Sequence, residues 1–395
     1  MQARLLSPSK SASMKRISIC TVCMNRLSFL RETLPANIEQ NIDNPDLEFV
    51  VLDYNSPDGM EEWAKREMQP YTQSGILKYY KTHQPVNFHL SHSKNMALRL
   101  ASGEIVCLVD ADNFAGKGYG RWIQSVFTAE GQNTIVTNIR KDNIPFRDQG
   151  GKISFHHDLL HAVRGFDESL VGYGVDDVDL VNRLEKVGGK RYFLTDPDFM
   201  KFIGHSTLER VKNFHLINNL SALYIKVSDS MKIRSTVLYL MNDNSFTEVL
   251  YEFDKSLEKN NVLSYGGWNT RRDGYRKGTY DRQAGKLSLL FEDGSALSYF
   301  EQGKAFIYTQ DGNTKQLWKN VSRNEDLFHY LIMSYGECLN RLIYLENDKK
   351  MENVNVTGWG EGTVFLNFDN NTPIRITGLT TTATIPQPAP QLSFQ

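Results

Sequence analysis

The 395-residue chain has no excess of charge of either sign: 45 Lys and Arg face 46 Asp and Glu, for a formal net charge of −1. Such a balance offers no global basic surface for nucleic acid and none of the general acidity that keeps a chain disordered. Cysteine is scarce, with Cys20, Cys23, Cys107 and Cys338 as the whole complement. The spacing Cys20-Thr-Val-Cys23 lies in a strand-like run. Residues three apart on a strand point to opposite faces, so these thiols neither share a metal nor pair. The pattern fits reduced core thiols and a cytoplasmic setting. No run of about 18 apolar residues occurs, so no membrane-spanning helix is expected, and any membrane association would be peripheral. The polar segment Met1–Met14 lacks the apolar core of a secretory signal and reads as a disordered lead-in. Also missing are a Gly-x-Gly-x-x-Gly after the first strand and a Gly-Lys-Ser/Thr loop. Their absence removes the common dinucleotide and P-loop signatures.

What is there is enough chain for two domains, with the 40% hydrophobic and 23% charged content of a globular protein. Arg16–Val22 reads as a buried strand. Leu27, Leu30, Leu34 and Ile38 then keep helical spacing, with Pro35 expected to kink or restart the helix. Leu47–Asp53 is a second buried strand running into the turn cluster Tyr-Asn-Ser-Pro-Asp-Gly. Asp58 and Glu61 read as a capping box opening a helix over 59–68. A short strand at 77–81, a helix at 91–101 and a strand at 104–109 follow. Strands alternating with helices predict a mostly parallel sheet, and in such sheets ligands gather at the carboxyl ends of the strands. Asn25, Arg26, Asp53, Asp110 and Asp112 all fall at strand carboxyl ends. A helix at 119–129, strands at 134–139 and 191–194, and a helix at 207–226 complete this first domain, placed at 15–230.

The texture changes from about residue 245. Lys286–Phe291 with Ala296–Phe300, Ala305–Thr309 with Lys315–Trp318, and 363–368 with 373–377 are hairpin patterns. Leu327, Leu331, Cys338, Leu342 and Leu345 suggest one amphipathic helix between them. A β-rich accessory domain is therefore expected over 245–380, with a flexible tail at 381–395. Tyr265, Trp268, Tyr275 and Tyr280, interleaved with Arg271, Arg272 and Arg276, fit either a glycan-binding patch or the packing of a small β domain, and packing is favoured.

The chemistry concentrates in acids. Asp110-Ala-Asp112 ends a buried strand, where carboxylates suit a hard divalent cation shared with substrate phosphates. Asp112 is the direct ligand in this reading, with Asp110 nearer the ribose or orienting the metal. A lone histidine is more often structural or exposed, but His205 follows the 191–194 strand and a proline-containing turn, a course that can return it to the same crevice as a neutral imidazole ligand. Gly172-Tyr-Gly-Val-Asp-Asp-Val-Asp179 sets three acids behind a glycine turn at a helix start, where free N–H groups and the dipole favour negative charge. One acid suffices for a cap, so Asp177 reads as a general base and Asp176 as a contact for acceptor hydroxyls.

Taken together, Asp110-Ala-Asp112, Gly165-Phe-Asp-Glu168, Gly172–Arg183 and Lys201-Phe-Ile-Gly-His-Ser206 resemble motifs of GT-A glycosyltransferases of the broad family-2 type, over about residues 16–226. The later motifs are similar to those of the animal β-1,4-galactosyltransferases. The resemblance implies a GT-A fold: α/β, Rossmann-like, a mostly parallel sheet with helices on both faces. It also implies an inverting transfer from a UDP-sugar to a glycan hydroxyl, with galactose or N-acetylgalactosamine favoured. Asp53 then contacts uracil or ribose, and Asp112 and His205 hold Mn²⁺ (or Mg²⁺) with the diphosphate. Asp177 is the base and Tyr173 a platform for the acceptor sugar. Arg26, Lys94 and Asn95 are candidate donor contacts, since a diphosphate needs cationic or N–H partners. Two positions depart from the pattern: Asp176 replaces a glutamate, and Phe202 replaces a metal-ligating methionine. Two rival readings are a non-catalytic glycan-binding protein on a transferase scaffold and a sugar nucleotidyltransferase. The second would want a glycine-rich basic loop where this chain has Cys-Met-Asn-Arg26.

Overall fold

The structure, a computed structural model, describes residues 15–139, 151–227, 232–254, 274–302, 305–310 and 314–378. The expected lead-in, the whole of the expected tail, and Tyr265, Trp268, Arg271 and Arg272 lie outside the described residues. The first half alternates strands and helices: β1 (Ile17–Cys23), α1 (Leu27–Glu39), β2 (Leu47–Tyr54), α2 (Met60–Glu67), α3 (Gln69–Ser74), β3 (Leu77–Thr82), α4 (Leu90–Leu100), β4 (Ile105–Leu108) and α5 (Tyr119–Glu130). Then come β5 (Thr134–Thr137), β6 (Ile153–His156), α6 (His157–Val163), α7 (Asp176–Lys186), β7 (Lys190–Phe193), α8 (Thr207–Val211) and α9 (His215–Asn219). The second half comprises β8 (Leu220–Val227), β9 (Lys232–Met241), β10 (Ser245–Asp254), β11 (Tyr275–Gln283), β12 (Lys286–Phe291), β13 (Ala296–Gln302), β14 (Ala305–Gln310), β15 (Thr314–Asn320), α10 (Glu325–Asn347), β16 (Gly362–Leu366) and β17 (Pro373–Ile376).

One sheet has the order β17-β16-β3-β2-β1-β4-β6-β5-β7, and β10-β11-β12-β13-β14-β15-β8-β9 close into a barrel. The expected parallel core is β3-β2-β1-β4, while β6 runs antiparallel between β4 and β5. Every residue of β1 and β2 is buried, as a strand covered on both faces requires. Cys23 joins the core on one side of the sheet with α1 residues Leu30 and Leu34. Cys20 joins the other side with Met96 and Ala97 of α4. Period-2 alternation thus separates the two thiols, and all four cysteines are free and buried.

Four local expectations are corrected. α1 runs unbroken through Pro35. Its buried stripe of Leu30, Leu34 and Ile38 holds it, and the carbonyl that proline leaves unpaired belongs to exposed Arg31. Gly59, at φ 80°, caps α2 instead of Asp58. Asp58 accepts from Leu27 N at 2.8 Å and so caps α1 from a distance. The helix expected over 207–226 is two short helices followed by β8, a barrel strand. Leu223 and Ile225 pack on one face of β8 and Tyr224 on the other, and burial on both faces reads alike in a helix and a strand. The barrel therefore begins at Leu220, before the expected boundary.

The fourth correction concerns the last hairpin, which leaves the barrel domain altogether. β16 pairs antiparallel with β3 and extends the α/β sheet. Val364 and Ile376 enter the core beside Met96, and Trp359, just before the hairpin, is 1% exposed there. An otherwise open sheet edge is covered in this way. Leu238, Leu240, Phe246, Leu287, Leu289, Phe291, Tyr299 and Trp318 pack together as a core of the barrel. Tyr280 donates to Met241 O and Arg276 stacks on Phe291 at 3.6 Å, so both serve barrel packing.

Because Trp359 closes a core built mainly from residues more than 150 positions earlier, Trp359→Ala is expected to destabilise the α/β domain by about 3–5 kcal/mol. Urea unfolding of the full chain measures the loss.

Candidate active site

Three segments meet at the carboxyl end of β4. α1 reaches the first: Thr33 Oγ1 donates to Ala111 O at 2.7 Å, Asn37 Nδ2 donates to Asn113 O at 3.0 Å, and Asn37 Oδ1 accepts from Ala115 N at 2.6 Å. The loop after β4 is thereby fixed. The 201–203 segment lies against it as a bridge, with Phe202 opposite Asn113, Ile203 N donating to Asp112 O at 2.8 Å and Phe114 N to Lys201 O at 3.0 Å. This pairing brings His205 Nε2 to 2.7 Å from Asp112 Oδ2. Arg26 NH1 stands 3.9 Å from the same oxygen, while its NH2 donates to Glu209 O at 2.7 Å. Burial opposes ionisation of Asp112, but the His205 hydrogen bond and the Arg26 charge outweigh it and hold the carboxyl below its usual range.

Asp110 lies deeper. Burial pushes its carboxyl up to about 6, against the pull of Lys94. A Cβ on Gly151 would come within 1.9 Å of an Asp110 oxygen, so glycine is what lets β6 approach. Lys152, next in the chain, is 1% exposed and donates to Phe114 O and Phe199 O. It adds a buried cation behind Asp110 and Asp112 that sequence reading missed.

The acidic loop turns on positive-φ residues Gly172 (φ 70°), Gly174 (φ 93°) and Val175 (φ 74°). A β-branched residue at positive φ is strained, and such strain persists only where surroundings impose it. The imposition comes from α10: Asn340 Oδ1 accepts from Val171 N and its Nδ2 donates to Gly174 O, both at 2.8 Å. α7 then begins with the acids. Lys94 Nζ donates to Asp176 Oδ2 at 2.8 Å and Asp177 Oδ1 at 2.7 Å, above the Phe166 ring at 4.9 Å. Burial and neighbouring Asp176 push the Asp177 carboxyl up to about 8, with Lys94 opposing. Asp179 faces the interior, paired to Arg183 at 2.7 Å and accepting from Asn347 Nδ2 at 3.0 Å.

The expected residues therefore separate. Asp112, His205, Arg26, Asp110, Lys94, Asp176 and Asp177 form one connected group of charges. Lys94 is 1% exposed and its charge meets the two acids of α7. Asn95 is likewise buried, holding Phe166 O and Glu168. Asp53 is 0% exposed. Its oxygens accept from Ser56 N at 2.7 Å and Tyr79 OH at 2.6 Å, bracing the turn after β2. Tyr173 stacks under Arg210 at 5.4 Å and accepts from its NH1 at 2.5 Å. Arg210, Asn340 and Asn347 carried no local sequence signal, because only the fold brings them to the loop.

Among the described residues no three His, Cys, Asp or Glu side chains are arranged to hold a metal ion. Asp112 and His205 are a two-donor set, a hard carboxylate beside an imidazole, whose remaining ligands would have to come from a substrate.

Residues 18–166 match the domain described as Glycosyl transferase family 2. That span carries Arg26, Asp53, Lys94, Asp110 and Asp112 and ends before the acids of α7 and His205. The matched span is less than half of the 395-residue chain. No curated protein matches the chain. Among solved structures, the mannosyltransferase PcManGT from Pyrobaculum calidifontis in complex with GDP-Man and Mn²⁺ is similar at 22% identity and TM-score 0.37, over 48% of this chain and 59% of its own. S. aureus TarS 1–349 in complex with UDP-GlcNAc gives 15% identity and TM-score 0.35, over 49% and 63%. GalNAc-T7 with UDP, GalNAc and Mn²⁺ gives 12% and 0.39, over 80% and 73%. The chain thus spans less than two thirds of the PcManGT and TarS chains.

Lys94→Met leaves two buried carboxylates without their cation, and is expected to cost about 3–5 kcal/mol of stability at neutral pH. Protonation relieves the repulsion, so the deficit should shrink as pH falls. Replacing Asp176 by Asn in the same chain should recover part of it. Urea titrations of the single and double variants across pH measure both effects.

Proposed function

We propose that the protein is a metal-dependent inverting glycosyltransferase that moves a hexose or N-acetylhexosamine, galactose or N-acetylgalactosamine favoured, from a UDP-sugar to a glycan hydroxyl. The observation that carries the reading is the joining of two half-sites. The charge of Asp110 acts on both the Asp112–His205 pair at the end of β4 and the Asp176 and Lys94 charges at the start of α7, and Lys94 bonds Asp176 and Asp177. The family match over 18–166 supports the donor half.

In this reading Asp112 and His205 hold Mn²⁺ or Mg²⁺, which would offset the charge gathering on the departing diphosphate. Arg26, beside Asp112 and partly exposed, supplies a further cation for the same phosphates. Asp177 takes the proton of the attacking acceptor hydroxyl through its oxygen not bonded to Lys94. Its raised affinity for protons suits that task, because a base near the working pH both accepts the proton and is free to do so. Lys94 keeps the adjacent pair from sharing that proton in the resting state. Asp176, its charge met by Lys94, orients acceptor hydroxyls, with Tyr173 forming the wall beside them.

The alternative of a glycan-binding protein on a transferase scaffold leaves the Asp112–His205 contact and the raised Asp177 carboxyl without a task. It predicts glycan binding that ignores nucleotide and metal.

Nucleotide release from a panel of UDP-sugars, with and without Mn²⁺, separates the two readings. Transfer is expected only with metal. Asp177→Asn should lower it by about 10²–10⁴-fold, with donor affinity little changed. Asp177 works ionised, and its carboxyl is pushed up to about 8. Turnover should therefore climb with pH across the neutral range, a limb that Asp177→Asn removes. Undiminished transfer in that variant would remove Asp177 from the base role.

A further inference from the structure

α10 touches the acidic loop more closely than a scaffold helix needs to. A Cβ on Gly336 would lie 2.8 Å from Tyr173 N and 3.0 Å from Tyr173 O, so the helix backbone rests directly on the Gly172–Gly174 turn. A Cβ on Gly174 would come within 2.7 Å of Glu337 Cγ and 3.6 Å of its Oε1. Glu337 is thus the α10 side chain laid along the turn that carries Asp176 and Asp177. Its carboxylate makes no hydrogen bond or ion pair among the described residues, and Arg210 is the one cation whose charge acts on it. Asn340, one helical turn on, satisfies the backbone on both sides of the same turn. Leu331 and Cys338 on the far side of the helix bury against the barrel. The helix therefore has an apolar barrel side and a loop side with the partly exposed Glu337 carboxylate, which takes no hydrogen bond among the described residues.

We infer that Glu337 belongs to the acceptor subsite, where its carboxylate accepts hydrogen bonds from hydroxyls of a neutral sugar ring lying beside Tyr173. The inference rests on the transferase reading and deepens it: the C-terminal helix supplies a specificity residue that the matched span 18–166 lacks. A half-buried carboxylate next to a glycine turn is costly to keep unless something pairs with it. A polyol hydroxyl pair is the partner that suits this place, since Asn340 already takes Val171 N and Gly174 O on either side of the turn. Burial pushes the Glu337 carboxyl up to about 7 against the Arg210 charge, in keeping with a group lacking its partner. Arg210 of α8, whose NH1 donates to Tyr173 OH, and Glu337 of α10 are the charged groups at this place.

The test compares wild type, Glu337→Gln and Glu337→Ala with UDP-sugar donor, Mn²⁺ and a panel of p-nitrophenyl hexosides and N-acetylhexosaminides as acceptors. Metal-dependent donor hydrolysis without acceptor is measured alongside. Glu337→Ala should raise the acceptor KM about tenfold or more with hydrolysis and donor KM unchanged. Glu337→Gln, which still accepts one hydrogen bond, should fall between. Thermal stability should hold or rise, because an unpaired buried charge is removed. Wild type and variants treating the whole panel alike, or a fall in thermal stability with no change in acceptor KM, overturns the inference. Absence of donor hydrolysis in wild type overturns the transferase reading beneath it instead.

Discussion

Two carboxylates at adjacent positions of a helix start cannot both be ionised and dry without a cation between them. Lys94 is that cation, bonded to Asp176 and Asp177 within 2.8 Å and 1% exposed. Much else follows from the need to hold it there. α4 must pack flat on β1 and β2 so that its buried face points Lys94 at the loop. Asn95, the next residue, ties the loop's first residues by donating to Phe166 O at 2.9 Å and accepting from Phe166 N at 2.7 Å. Helix dipole, backbone N–H groups and Lys94 all favour charge at this place, while burial disfavours it. That balance leaves the Asp177 carboxyl easy to protonate.

The loop's geometry is not self-sustaining. Val175 at positive φ would relax in an isolated segment. α10 prevents this through Asn340 at the turn, Asn347 at Asp167 and Asp179, and Tyr344 accepting from Asn182. The same helix packs Leu331 and Cys338 against the outside of the barrel. Barrel and active-site loop are therefore one mechanical unit, which explains a chain that leaves the α/β domain, builds a barrel, and returns with Trp359 and β16–β17 to finish the first sheet.

The strand-end acids and the order of elements in the first half were legible from apolar runs punctuated by turn residues, because both faces of the parallel strands are covered. Asp112 with His205 was also legible, since the two lie in short motifs whose chemistry is recognisable. What was not legible depends on burial or on distance in the chain. Asp53 and Lys94 have the right residue types for ligand contacts, yet the fold turns them inward, where Tyr79 and the α7 acids satisfy them. β8 reads as helix because both of its faces are buried. Asn340 and Glu337 sit on a helix whose apolar stripe is visible, but its polar side gains meaning only against a loop more than 160 positions earlier.

The central claim is that Asp112 and His205 on one side and Asp177 on the other serve a single nucleotide-sugar site. Crystals grown with Mn²⁺ and UDP and measured at the manganese absorption edge test it directly. The account predicts an anomalous peak in coordination contact with Asp112 and His205, with the UDP diphosphate on the same ion and the Asp177 carboxylate facing the open side of the diphosphate. Manganese bound elsewhere, or UDP bound away from Asp112, would contradict it.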